Sequence, residues 1–206
     1  MPFGVVYCEQ GLINHLFEPL NTISNLFFVV SAVLLFFYFK KKKITDFKSK
    51  LFIGLILLIG MGSLIWHIVP MMATFFLDVI PIAMFLVVYL FFLLEKIVAN
   101  KKIAMLVLGV YLLLVILGFI IFPTLFSSSG GIYILTLLFL GGTVIVSYFK
   151  NILFKPVSVI FVLFLVAFIV RQVDLTVCPF FPLGTHFAWH TINAFIAYYG
   201  VKALYD

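Results

Sequence analysis

His186 and His190 stand four residues apart in the stretch Gly184-Thr-His-Phe-Ala-Trp-His190, which opens the last long apolar run of the chain. On a helix that spacing puts both imidazoles on one face, one turn apart, where they can share a metal ion. His67 offers a third imidazole and Asp78 a carboxylate, and Ser63 precedes His67 by four residues, on the same helical face. Three neutral nitrogen donors are the ligand set of a catalytic zinc that keeps its fourth position for water. Zinc lowers the pKa of that water to about 7 and polarises a carbonyl, which is what a hydrolase needs. Asp78 could orient a ligand or accept the water's proton, and the Ser63 hydroxyl could bind the water or a developing oxyanion. Plainer readings stand beside these. A lone histidine in a membrane span more often hydrogen-bonds a neighbouring helix, and a lone serine packs; it is the convergence of several ionisable groups that favours a metal.

These residues must be positioned by helices in a bilayer. The chain has 206 residues, 66% of them hydrophobic, only 10% charged and 27 of them Phe, a composition that excludes a soluble domain. A single all-α domain, residues 1–206, is expected. The net charge of +6 does not point to nucleic acid, because the lysines fall in short runs between apolar segments, as topology signals do. No basic region, apolar core and small-residue cleavage site open the chain, so no removable signal peptide is expected. After a mixed segment over residues 1–21, apolar runs of spanning length are expected as helices at about 22–39, 51–69, 73–94, 103–122, 131–149, 156–173 and 185–204. The expected architecture is therefore a seven-transmembrane helix bundle.

Lysines orient it. Lys40, Lys41, Lys42, Lys43, Lys48 and Lys50 lie around the first link, Lys96, Lys101 and Lys102 around the third, and Lys150 and Lys155 around the fifth. The second, fourth and sixth links carry no Lys or Arg, so the N-terminus is expected outside and the C-terminus in the cytoplasm. That topology brings Ser63, His67, Asp78, Arg171, Asp174, His186 and His190 to one layer near the outer surface. Arg171 and Asp174, at i, i+3, read as a structural ion pair at the outer end of the sixth span. Cys8 and Cys178 both fall outside; they form either a disulfide pinning the N-terminal segment over the bundle mouth or two free thiols. Thr185 is placed to N-cap the last helix. Glu9 and Glu18 could bind a cation such as calcium, although two carboxylates are few for that ion, and solvated or hydrogen-bonded carboxylates are the alternative. His15 reads as interfacial.

Four segments of the chain resemble a known family. Glu18-Pro-Leu-Asn-Thr-Ile-Ser-Asn25 is similar to the E-x-x-N-T-x-S-N opening of helix 1 in the alkaline ceramidases, and Gly60-Met-Gly-Ser-Leu-Ile-Trp-His67 resembles their G-x-G-S-x-x-x-H. Asp78-Val-Ile-Pro81 resembles their D-x-x-P, and His186-Phe-Ala-Trp-His190 their H-x-W-W-H, with Ala188 at the first Trp and Trp189 at the second, as a supporting residue. The resemblance runs in order over nearly the whole chain. It extends to bacterial members and to the wider CREST superfamily, which includes adiponectin-type receptors and GPI-lipid-remodelling proteins. It implies a zinc-dependent intramembrane amide hydrolase. His67, His186 and His190 would hold zinc, Asp78 and Ser63 would assist the water, and Cys8 and Cys178 would form the family's outer disulfide. Glu9 and Glu18 match two ligands of the family's calcium site, while Val6 and Gly11 stand where two others are expected.

The expectation is hydrolysis of an N-acyl lipid such as a ceramide, entering from the outer leaflet of a membrane that is expected to be a bacterial inner membrane. A lipid ester hydrolase of the same superfamily and a receptor or sensor with a structural zinc site are the alternatives. A transporter finds poor support, since no polar groups cross the midplane. No protein partner is evident.

Overall fold

The structure, a computed structural model, describes residues 7–11, 17–127 and 130–206. Among them all regular structure is helical. A single 3₁₀ turn, Cys8–Gly11, is followed by α1 Pro19–Ser24, α2 Leu26–Lys42, α3 Phe47–Ile68, α4 Met72–Val98 and α5 Lys101–Ile121. Then come α6 Pro123–Ser127, α7 Gly130–Lys150, α8 Phe154–Gln172, α9 Asp174–Val177 and α10 His186–Tyr205. The long helices run up to a turn beyond the apolar runs, because lysines and small polar residues continue a helix once its middle is committed.

Among the described residues six helices are long and apolar enough to cross a membrane: the nearly continuous α1–α2 pair over Pro19–Lys42, then α3, α4, α5, α7 and α8. This is the architecture of a multi-pass membrane protein. The seventh expected span, α10, has the length with 20 residues but falls outside the six, because His186, His190, Asn193 and Lys202 dilute its apolar content. Its position compensates for its composition. α10 packs against α8, α2, α1, α4 and α3, so its polar side chains face protein. Phe36, Phe37, Leu106, Ile120 and Leu138 are exposed on the outer faces of other helices, where hydrocarbon is the natural solvent.

Two local devices bring α3, α4 and α10 into register at one end. Pro81 lies inside α4 and has no N–H, so the carbonyl of Leu77, four residues earlier, has no intrahelical donor. Gly62 of α3 rests on that carbonyl; a Cβ there would stand 2.0 Å from the oxygen, so only glycine lets the helices approach this closely. The approach is what puts Ser63 beside Asp78. At the start of α10, Gly184 turns through φ +65°, and a Cβ on it would lie 2.2 Å from Asp174 Oδ1 and 2.6 Å from Cys8 Cβ. The chain reaches α10 only by passing between a carboxylate and a cystine.

That cystine joins Cys8 to Cys178 with Cα atoms 5.4 Å apart, and it ties the 3₁₀ turn to the segment between α9 and α10. Of the two arrangements left open for the cysteines, the disulfide is the one formed.

Candidate metal centre

His67 lies in the last turn of α3, while His186 opens α10 and His190 follows one turn later. All three are buried, and each offers a ring nitrogen within 4.8 Å of the others. Ring centroids are 4.5 Å apart for His186 and His190, 4.8 Å for His67 and His190 and 5.4 Å for His67 and His186. Among the described residues this is the one group of three or more His, Cys, Asp or Glu side chains close enough to share an ion.

Hydrogen bonds on the far side of the rings assign their roles. His67 Nδ1 lies 2.7 Å from Glu18 Oε2; with that carboxylate ionised, Nδ1 carries the proton and donates. His190 Nδ1 lies 3.1 Å from the Asn21 carbonyl and 2.8 Å from Ser24 Oγ. A carbonyl only accepts, so this Nδ1 also donates. The Ser24 hydroxyl donates in turn to the Asn21 carbonyl at 2.9 Å. Both Nε2 atoms are thereby left as lone-pair donors facing the third histidine. His67 Nε2 and His186 Nδ1 are buried and meet no hydrogen-bond partner. A buried ring nitrogen without a partner is costly unless something electropositive faces it. Two unpartnered ring nitrogens beside a third histidine, with the far nitrogens of His67 and His190 held by oxygens, are the arrangement that orients histidines on a divalent metal. The residues fit the ion.

Glu18 is bound into the same unit. Its backbone N–H donates to the His67 carbonyl at 3.1 Å, and Oε2 also accepts from Asn21 Nδ2 at 2.6 Å. Burial pushes the Glu18 carboxyl up to about 7, against the hydrogen bonds from Asn21 and Gln10 that pull it down. Glu9 caps α1: its Oε1 and Oε2 accept from the backbone N–H groups of Leu20 and Asn21 at 2.6 and 2.8 Å. The two carboxylates considered for calcium are thus held by backbone amides, a side-chain amide and an imidazole. Gly11 ends the 3₁₀ turn, while Val6 and His15 lie outside the described residues.

Asp78, half-buried on α4, accepts a hydrogen bond from Ser63, so that serine's first contact is with the carboxylate. Asp78 Oδ1 is buried and has no partner. Asp78, Ser63, His186 and His190 line one cavity of about 590 Å³. Its wall continues down α4 through Ile82, Leu86 and Leu90 and down α10 to Ala197. From Asp78 to Leu90 the helical rise is about 18 Å. The cavity is polar where the histidines are and mostly apolar below, with Asn193 and Thr136 among its lining, as suits an amphipathic molecule.

Two sequence expectations are corrected. Arg171 and Asp174 do not form an ion pair. Asp174 is buried and wholly engaged by backbone: Oδ2 accepts from Cys8 N at 2.9 Å, and Oδ1 from Thr185 N at 2.6 Å and His186 N at 2.9 Å. A carboxylate at a helix start satisfies orphan N–H groups and complements the dipole, which outweighs an i, i+3 pairing. It follows that Asp174, not Thr185, caps α10. Thr185 stands at the N-cap position but its hydroxyl turns back to the Val170 carbonyl.

Three contributors carried no signal of their own. Tyr7 stacks on His186, with ring centroids 3.8 Å apart and planes at 18°, and roofs the centre. The Asn21 carbonyl and Ser24 hydroxyl orient His190. Both lie in the Glu18–Asn25 motif, and Tyr7 precedes a cysteine; those are the only hints the chain offered. No protein-family model matches this chain, and no curated protein matches it.

Proposed function

We propose that the chain is a zinc-dependent intramembrane hydrolase that cleaves the amide of an N-acyl lipid, similar to the alkaline ceramidases. The observation that carries this reading is the meeting of three oriented histidines with an unpartnered aspartate oxygen at the polar head of a mostly apolar cavity. Zinc held by His67, His186 and His190 supplies Lewis-acid polarisation of the acyl carbonyl and an acidified water.

The protein's own residues do the rest. The apolar length of the cavity takes the acyl chain and holds the amide carbonyl at the histidine layer. Asp78 Oδ1 accepts the proton of the attacking water as the new C–O bond forms. It then delivers that proton to the nitrogen as the C–N bond breaks, releasing a fatty acid and an amine. Ser63 holds the carboxylate in position and supports the developing oxyanion. Glu18 and the Asn21–Ser24 pair keep His67 and His190 in the tautomer that ligates.

In this reading α10 is a seventh span. The lysine links lie in the cytoplasm and the histidine end faces the outer leaflet of a bacterial inner membrane, from which the lipid enters sideways. Tyr7 and the cystine roof the site.

The test is metal analysis of the purified protein together with turnover of matched N-acyl and O-acyl lipids, with and without chelator. Stoichiometric zinc and chelator-sensitive amide cleavage are expected. Absence of zinc at neutral pH, or turnover indifferent to chelation, refutes the proposal, and cleavage of esters alone redirects it to a lipid esterase.

A further inference from the structure

Arg171 lies in the last turn of α8 and lines the same cavity as Asp78, His186 and His190. An arginine at membrane depth ordinarily pairs with a carboxylate. Among the described residues none lies within 4.0 Å of this one. Asp174 is taken by three backbone N–H groups, while Asp78 accepts from Ser63 and meets Arg171 only through longer-range attraction. The guanidinium is instead held flat by aromatic rings, 5.1 Å from the centroid of Tyr133 and 5.9 Å from that of Trp189. One of its nitrogens donates to Gln172 Oε1 at 3.2 Å, and it also donates to the Tyr7 hydroxyl, which keeps its own proton to give. Tyr7 is the residue stacked on His186. A single tyrosine side chain therefore spans the distance between the guanidinium and a histidine of the metal centre. The guanidinium feels Asp78 only at a distance, makes no direct ion pair among the described residues, and lines the cavity that the histidines enter.

We propose that the lipid taken by this site carries an anionic oxoacid, a carboxylate or a phosphate, a few bonds from its amide nitrogen, and that Arg171 and Tyr7 bind that group. The inference rests on the hydrolase reading above and assigns its substrate class: an acyl amide with an acidic headgroup in preference to a neutral ceramide. The planar fork of arginine matches two oxygens of one oxoacid, whereas a neutral headgroup leaves it without a direct ion pair. Tyr7, in contact with the guanidinium, adds an O–H donor, and the rings of Tyr133 and Trp189 help to hold the fork in place.

Three dodecanoyl amides test it: N-dodecanoylglycine, N-dodecanoylethanolamine and the phosphate ester of the latter. With zinc-loaded wild-type protein, one or both acidic compounds are expected to show kcat/KM at least about tenfold above the neutral one, the worth of a charge-assisted hydrogen bond, and their ranking separates carboxylate from phosphate. In Arg171→Gln the preference should collapse, the acidic amides losing about tenfold more kcat/KM than the neutral amide, chiefly through KM, while zinc stays bound. Arg171→Lys, which keeps the charge and loses the fork, should fall between them. Equal or faster turnover of the neutral amide, or an Arg171→Gln loss common to all three, overturns the inference and leaves Arg171 as a support for Tyr133 and Trp189. Should no compound be cleaved although zinc is bound, the hydrolase reading fails separately. Thermal stabilisation by the acidic amides alone then still supports the subsite, and equal stabilisation by all three removes it.

Discussion

The two ends of this bundle solve opposite problems with charge. At the lysine end, Tyr38 and Lys202 both reach the exposed Asp206, Tyr205 bonds Asp46 at 3.0 Å, and Asp46 caps α3 through Ser49 N at 2.7 Å. Lys96 covers the end of α10 by donating to the Leu204 carbonyl at 2.8 Å. The links are tight and local, turning through left-handed residues at Lys43, Ala99, Asn151 and Leu153. At the histidine end the charged groups Glu9, Glu18 and Asp174 are buried, and partners come from far along the chain: Cys8 with Cys178, Glu18 with His67, and Asn21 and Ser24 with His190. Exposed pairs are individually dispensable because water replaces them. Buried ones are costly unless paired, so the members of that end depend on one another and it behaves as one unit.

Removing a member of the unit is the hardest test of that contrast. His67→Ala, with its nitrogen gone from the centre of the cluster, should lose stoichiometric zinc and all chelator-sensitive turnover in metal analysis and a single-turnover assay; retention of either refutes a three-histidine site. Cys8→Ser comes next. The bridge spans 170 residues, for which chain entropy sets an upper stabilisation of about 5 kcal/mol, less whatever the membrane already constrains. A fall in Tm with weaker substrate affinity is expected, since Tyr7 adjoins the bridge; an unchanged KM would separate the roof from the site.

Glu18→Gln is subtler. It keeps the shape and removes the charge behind His67, so zinc affinity measured by competition with a chelator should fall about 10–100-fold. Unaltered affinity would make Glu18 a packing residue. Lys202→Ala should give the smallest effect, within about 0.5 kcal/mol, because the pair it forms with Asp206 is a surface i, i+4 contact. A larger shift in Tm would mean that the lysine end is less independent than its exposure implies.

Much of this was legible in the chain. The apolar runs located the long helices, because twenty or so apolar residues have few alternatives to a membrane-buried helix. The His186 and His190 spacing, with His67 at the end of an adjacent span, located the centre. The sequence read α10 as a seventh span, whereas His186, His190, Asn193 and Lys202 keep it outside the six apolar helices and mark it as the carrier of the site. What stayed illegible depended on competition for a partner. The sequence offered Arg171 to Asp174, yet three backbone N–H groups at the start of α10 and the 3₁₀ turn outbid a mobile side chain. Glu18 was visible as a possible cation ligand and found its place as the partner of His67.

Sequence alone determined the solvent of this protein, its helical class and the chemical types gathered at one end, because hydropathy and helical periodicity are local properties of the chain. Tertiary structure alone decided which nitrogen of each histidine is free, that Tyr7 roofs the centre and that Arg171 forms no direct ion pair among the described residues. Those outcomes turn on distances between residues as far apart as Cys8 and Asp174, and no local pattern records which of several suitable partners a buried polar group will meet first.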